Sequence, residues 1–346
     1  RLMEFAKRVE FYGDLRLRYE GIFQDDRADR HRERVRLRLG ANMKLNDYLT
    51  GGVRLVSGDS KDPTSTNQTL SGFFGKQPIS FDRFFLTARP VERLSVVGGK
   101  FANPFVSTEM VWDEDVQPEG AAQSLALTDL GPLKELKLTA GQFILEEVAA
   151  DTDSYMFGAQ LGGTVAPVRD LSVTLAGAYY GFQKPNRIAA ALATGSLSSG
   201  NTNRTIGSGA QTQFLSDFEL VDLYSRLTYT RWPIPVTAIV DYVHNAGAAD
   251  RDDGIWTEFY VGKLKAQGDW RLGYGYALVG TDATLSAFNS DDWLDTNIRT
   301  HMVDLAYQLF DNTTLKTEGF FIRENDSGDP GIGDGTSADH HAIAAS

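Results

Sequence analysis

Cysteine is absent from the 346 residues, so disulfides, thiolate metal sites and c-type haem attachment are excluded within this chain. No run approaches the roughly 18 apolar residues that a membrane-spanning helix needs. Basic charge is in deficit, with 34 Lys and Arg against 46 Asp and Glu and a net charge of -12. That balance lacks the basic footprint of a nucleic-acid binder. Histidine is scarce: His340 and His341 are adjacent, no His-Glu-x-x-His occurs, and His31, His244 and His301 have no local nucleophile or metal-ligand signature. Neither a cofactor nor a metal nor an enzymatic site is expected.

What is present is alternation. From Val9 to Phe23 the residues Val9, Phe11, Leu15, Leu17, Tyr19 and Phe23 share one face, and Glu10, Asp14, Arg16, Arg18 and Glu20 share the other. Val35 to Leu45 repeats the pattern, with Val35, Leu37, Leu39, Ala41, Met43 and Leu45 opposite Arg34, Arg36, Arg38, Asn42 and Lys44. Soluble sandwich strands alternate too, but seldom for so long with so many arginines on the wet side. Three arginines facing lipid near the midplane would cost on the order of 2–4 kcal/mol each, so they are expected to face a lumen. Membrane β-barrels escape hydropathy scans because only alternate residues meet lipid, so a mean hydropathy of -0.28 fits full membrane embedding.

Period-two runs place about sixteen strands along the chain. The connections alternate in length. Short ones hold turn-formers such as Asn46-Asp47, Gly131-Pro132 and Gln267-Gly268-Asp269; long ones at 59–78, 104–117, 184–219, 281–297 and 326–337 are rich in Gly, Ser, Thr, Asn and Asp. The expected fold is therefore all-β: a transmembrane antiparallel up-and-down barrel over residues 9–346. Residues 1–8 read as a lead-in, with Leu2, Met3, Phe5, Ala6 and Val9 at helix-like spacing. The chain opens on Arg1 without a signal peptide, so upstream processing or a further upstream segment is expected. Aromatic pairs, including Phe11-Tyr12, Phe84-Phe85, Tyr179-Tyr180 and Phe320-Phe321, are assigned to interfacial girdles. The Gly331–Gly335 run lacks the Lys and helix of a phosphate loop and reads as an external loop.

The segment Phe11-Tyr12-Gly13-Asp14-Leu15-Arg16-Leu17-Arg18-Tyr19-Glu20 resembles the opening strand of the putative-porin family of Gram-negative outer membranes. Gly99 to Phe105, Met110-Val111-Trp112-Asp113 and Gln117 to Ala122 are similar to that family's third-loop region. The resemblance implies a water-filled channel for small hydrophilic solutes and ions, narrowed by a loop folded inward after the fifth strand. That loop would be acidic here, with Glu109, Asp113, Glu114, Asp115 and Glu119. Facing it would be a basic wall of Arg16, Arg18, Arg34, Arg36, Arg38, Arg54 and Arg83, all but Arg83 on the polar face by parity. Acidic loop against basic wall would set up a transverse field. The expected partners are the lipid bilayer, lipopolysaccharide and small solutes in the bacterial outer membrane, with assembly as a homotrimer and no nucleic acid. The alternative is a structural barrel that tethers the membrane or sheathes an electron carrier. One departure is the ending, His340-His341-Ala342-Ile343-Ala344-Ala345-Ser346, which lacks a terminal aromatic, so the closing strand reads as incomplete.

Overall fold

A computed structural model describes residues 7–24, 28–200, 202–292 and 296–326, and the backbone of 340–345. Sixteen strands form the wall: β1 (Val9–Gln24), β2 (Arg30–Lys44), β3 (Leu49–Val56), β4 (Ser80–Val91), β5 (Leu94–Lys100), β6 (Glu119–Leu130), β7 (Leu133–Glu146) and β8 (Ser154–Val168) make up one half. The other half is β9 (Leu171–Gln183), β10 (Glu219–Tyr229), β11 (Val236–Asn245), β12 (Asp253–Gly262), β13 (Trp270–Val279), β14 (Ile298–Phe310), β15 (Thr313–Glu324) and β16 (His340–Ala345). Each strand pairs antiparallel with its sequence neighbours, and β16 pairs with both β15 and β1, which returns the sheet order to its start. Among the described residues no helix is long and apolar enough to cross a membrane. The backbone groups are satisfied between strands instead, as a membrane-spanning sheet requires.

The β16 register runs from Gln24↔His340 to Tyr19↔Ala345, alongside only the upper part of β1. Residues 2–6 and 331–335, which carry the helix-like lead-in spacing and the glycine run, lie outside the described residues.

The sequence alternation becomes an outward apolar belt. Phe11 is 81% and Leu15 69% exposed, whereas Arg18 and Glu20 on the opposite face of β1 are buried. Consecutive aromatics do not both join this belt, which corrects their joint assignment to a girdle. Tyr179 is 45% exposed and Tyr180 fully buried; Phe321 is exposed and Phe320 buried. Period two sends one member of each pair outward and the other into the lumen.

At one rim the turns are short. Asn46 Oδ1 accepts hydrogen bonds from the Tyr48 and Leu49 amides at 2.8 and 2.9 Å, and Asp269 Oδ2 accepts from those of Lys265 and Ala266 at 3.0 Å each. Such Asx-type bonds stand in for backbone pairing where the chain reverses. The opposite rim carries the long connections, among them 57–79, 101–118, 184–218 with its helix α1 (Asn186–Thr194), and 280–297.

Candidate functional site

The arginines of β1 to β4 stack against one another on the inner wall. Register sets Arg16 opposite Arg36 and Arg18 opposite Arg34, which by itself is repulsive. Carboxylates from the same strands relieve it. Asp14 bridges Arg36 (3.0 Å) and Arg38 (2.7 Å), while Glu20 lies against Arg18, Arg32 and Arg34. Arg54 forms a forked pair with Asp82, the geometry in which a guanidinium binds a carboxylate most strongly. A bulge decides Arg83. The β3–β4 register shifts between Arg54 and Leu55, so that Asp82 and Arg83 both face inward, and Arg83 Nε donates to Gln117 Oε1 at 2.7 Å. Strict parity cannot foresee this, because an inserted residue reverses the faces beyond it.

The 101–118 loop folds into the barrel and is fixed there by apolar contacts. Phe105 packs on Phe143 and Tyr180, and Trp112 packs on Tyr180, Phe182 and Phe288. The wall leaves room with glycine. A Cβ on Gly158 would come within 2.7 Å of the Phe105 ring, and one on Gly254 within 3.0 Å of Met110 Sδ. Polar bonds set the height: Gln160 closes a pair of hydrogen bonds with the Val106 backbone at 2.9 and 2.7 Å, and Thr108 donates twice to Asp241 Oδ2.

The structure places the acidic residues of this loop unequally. Glu114 meets Arg36 at 3.4 Å; Asp115 meets Arg38 at 3.2 Å and also accepts from Thr66. Asp113 turns back, accepting from the Asp115 amide at 2.7 Å while its own amide donates to Phe288 O. Glu109 holds no ion pair among the described residues and lines the lumen. Glu119 lies in β6, bound to Lys100 at 2.6 Å, and does not face the arginine wall.

A second loop, with 280–292 described, folds inward beside the first, which alternation along the strands does not foreshadow. Arg18 reaches Asp292 at 2.7 Å and Arg34 reaches Asp291 at 3.7 Å. Asn203 from the 184–218 connection ties this loop down: its Nδ2 donates to Thr281 O and Thr284 O, and its Oδ1 accepts from the Ser286 amide and hydroxyl. Aspartates in a Ser/Thr/Asn-rich connection read as solvated in sequence. Only the fold shows them neutralising arginines.

Burial and crowding shift the loop carboxylates. Burial, then Asp292 and Glu114 nearby, pushes Glu109 up to about 8; burial and Glu109 raise Asp113; burial and Asp292 push Asp291 up to about 7. Burial also opposes charge on Asp292, yet the Arg18, Arg16 and Arg34 guanidiniums hold it below the usual carboxylate range.

Two cavities meet at the inward loop. The one in the lumen, about 490 Å³, runs from Arg16 and Arg83 to Glu258, Asp304 and Glu318 on β12, β14 and β15. The other, about 580 Å³, opens at the long-loop rim. Trp112 and Gln117 line both. The three acids on β12, β14 and β15 were not singled out in sequence, since each is one polar residue in an ordinary alternating strand.

Solved structures share this architecture. OprB of Pseudomonas putida superposes with a TM-score of 0.63 at 12% identity, covering 100% of this chain and 95% of its own. OmpF of Salmonella typhi gives 0.56 at 12% over 97% and 96%, and OmpT of Vibrio cholerae, an outer membrane protein, gives 0.51 at 14% over 97% and 98%. At such identities the likeness is one of fold. No curated protein sequence matches. Residues 22–211 match the family described as "Putative porin", more than half of the chain. The chain belongs to that family and is an outer-membrane β-barrel porin, a channel for small solutes across the bacterial outer membrane.

Proposed function

We propose that the 101–118 loop and the β1–β4 arginine wall together form the constriction of this channel, through which small hydrophilic solutes and ions pass by passive diffusion. The observation that carries this reading is the meeting of Glu114 with Arg36 and Asp115 with Arg38 in mid-lumen, next to a cavity of about 490 Å³. Charges of opposite sign across a narrow, partly dehydrated passage act on permeant ions more strongly than exposed surface charges do. Asp291 and Asp292 belong to the same constriction, since they neutralise arginines that would otherwise face the pore.

The reading involves no catalytic step: the lumen residues bind and orient, and transport follows the concentration gradient. A homotrimer in lipopolysaccharide-containing membrane is part of it, by analogy with the trimer form described for OmpT of Vibrio cholerae. Native mass measurement in mild detergent tests the assembly, and a monomer alone would remove it. Single-channel recording tests the channel. Discrete ohmic conductance steps in planar bilayers are expected, and their absence would return attention to a structural barrel.

A further inference from the structure

We propose that this channel prefers small organic cations, amines carried on an apolar body, over anions of the same size. The inference rests on the porin reading and deepens it.

The arginine wall, the most conspicuous basic feature of the sequence, is largely sequestered. Arg18, Arg34, Arg36, Arg38 and Arg54 are each ion-paired with at least one carboxylate. Only Arg16 and Arg83 of that wall line the lumen cavity, joined there by Arg226 and Lys316. Against these four cations stand seven carboxyl groups, of which Glu114, Asp292 and Asp304 are paired with Arg36, Arg18 and Arg271 from outside the lining, and Glu109 is largely protonated at neutral pH. Glu109, Asp113, Glu114 and Asp292 come from the loops, and Glu258, Asp304 and Glu318 from the far wall.

The far wall concentrates its acids. Asp304 and Glu318 are direct cross-strand partners, a like-charged pair that is unfavourable unless cations attend it. Arg271 takes one oxygen of Asp304 at 2.9 Å, leaving Oδ1 buried without a hydrogen-bond partner, and Lys316 takes Glu318 at 2.5 Å.

The outer cavity repeats the imbalance. Its lining contributes seven carboxylates and three cations, Lys61, Lys100 and Arg187. Two of those cations are spent on Glu119 and on Glu146 with Asp151. Asp59, Asp62 and Glu147 there have no ion pair among the described residues. A solute therefore meets net negative charge on entering and, beyond the loop, the acid cluster of Glu258, Asp304 and Glu318.

Apolar surface accompanies the acids in both compartments. The outer cavity has Phe143, Met156, Ile188, Leu197 and Phe288 in its lining, and the lumen has Tyr224, Trp256 and Tyr260. The Tyr260 ring already attracts a cation, with the Arg271 guanidinium 4.5 Å from its centroid. Aromatic faces beside carboxylates suit an ammonium group attached to hydrocarbon, because ring quadrupole and carboxylate both favour the cation while the hydrocarbon leaves water. A carboxylate or sulfonate on the same body would be repelled twice.

The test uses the full-length protein in planar bilayers at neutral pH. Reversal potentials in a KCl gradient, and in gradients of benzylammonium chloride and potassium benzenesulfonate, give the permeability ratios. Benzylammonium is expected to exceed benzenesulfonate by roughly fivefold or more, and to reduce K⁺ conductance at concentrations where ammonium does not. Glu258→Gln with Glu318→Gln should bring the ratio down toward one. A wild-type ratio at or below one, or equal block by ammonium and benzylammonium, overturns the inference while channel conductance persists. Failure of any salt to produce conductance steps overturns the porin reading instead, and this inference with it.

Discussion

Arg18 on β1 and Asp292 in the 280–297 loop lie 274 residues apart in the chain and 2.7 Å apart in space. The pair is enclosed, with Arg18 also against Glu20 and Asp292 packed among Arg18, Arg16 and Arg34. It joins the second inward loop to the first strand of the barrel, and so links the two ends of the chain.

Arg18→Met should destabilise the barrel by about 3–5 kcal/mol, because it leaves Asp292 enclosed without its paired cation, whereas Glu20 keeps Arg32 and Arg34. Adding Asp292→Asn should recover part of that loss. Denaturant unfolding in detergent, run as a double-mutant cycle, checks this; additive losses would show that the pair is not coupled.

Neutralising Arg36 and Arg38 together, as Gln, should shift reversal potentials toward cations. Neutralising Asp113 with Asp115, as Asn, should shift them toward anions. For a unit charge about 8 Å from the ion path at an effective dielectric near 40, each charge removed is worth about 1 kcal/mol, roughly fivefold in permeability ratio, with Asp113 adding little because burial and Glu109 favour its protonated form. If both double variants keep the wild-type ratio, these residues do not form the constriction.

Selectivity should depend on pH. Glu109 is faced by Asp292 and Asp291 from the 280–297 loop and by Glu114 from its own, and is pushed up to about 8. Between pH 6 and pH 9 it ionises, and Asp291, pushed up to about 7, ionises with it. Cation preference should rise across that window, and Glu109→Gln should flatten the rise. For stability the sign is opposite: a carboxyl raised in the fold contributes stability that is fully present below its unfolded value near 4.5 and is lost as pH climbs through 8. Unfolding midpoints should therefore fall as pH rises from about 5 to about 8 and level off above that, less so in Glu109→Gln.

Trp112 is the apolar rivet of the inward loop, nearly buried and in contact with three aromatic rings. Trp112→Ala should cost about 3–5 kcal/mol of packing and free the loop, giving larger and noisier single-channel currents. Unchanged current noise would place the loop's anchorage in the Gln160 and Thr108 hydrogen bonds instead.

Alternation in Val9–Phe23 and Val35–Leu45 determined much about this protein, because a strand has only two faces and lipid accepts only apolar ones. Strand number, the long-loop rim, the inward arginines and the family resemblance were all legible on that basis. The exceptions were local or long-range. The Arg54–Arg83 bulge reversed parity at one residue, which no periodicity reveals. Aromatic pairs such as Tyr179-Tyr180 divided between lipid and lumen, since facing is set residue by residue. Tertiary structure alone decided which charges stay free. Asp291 and Asp292 reach Arg34 and Arg18 only because the barrel brings β1 beside the end of the chain, and the 280–297 loop turns inward on bonds from Asn203. Five of the arginines counted in sequence as a basic wall are paired with carboxylates, Arg16 and Arg83 stay on the cavity, and Glu258, Asp304 and Glu318 join them there from strands where nothing local marked them.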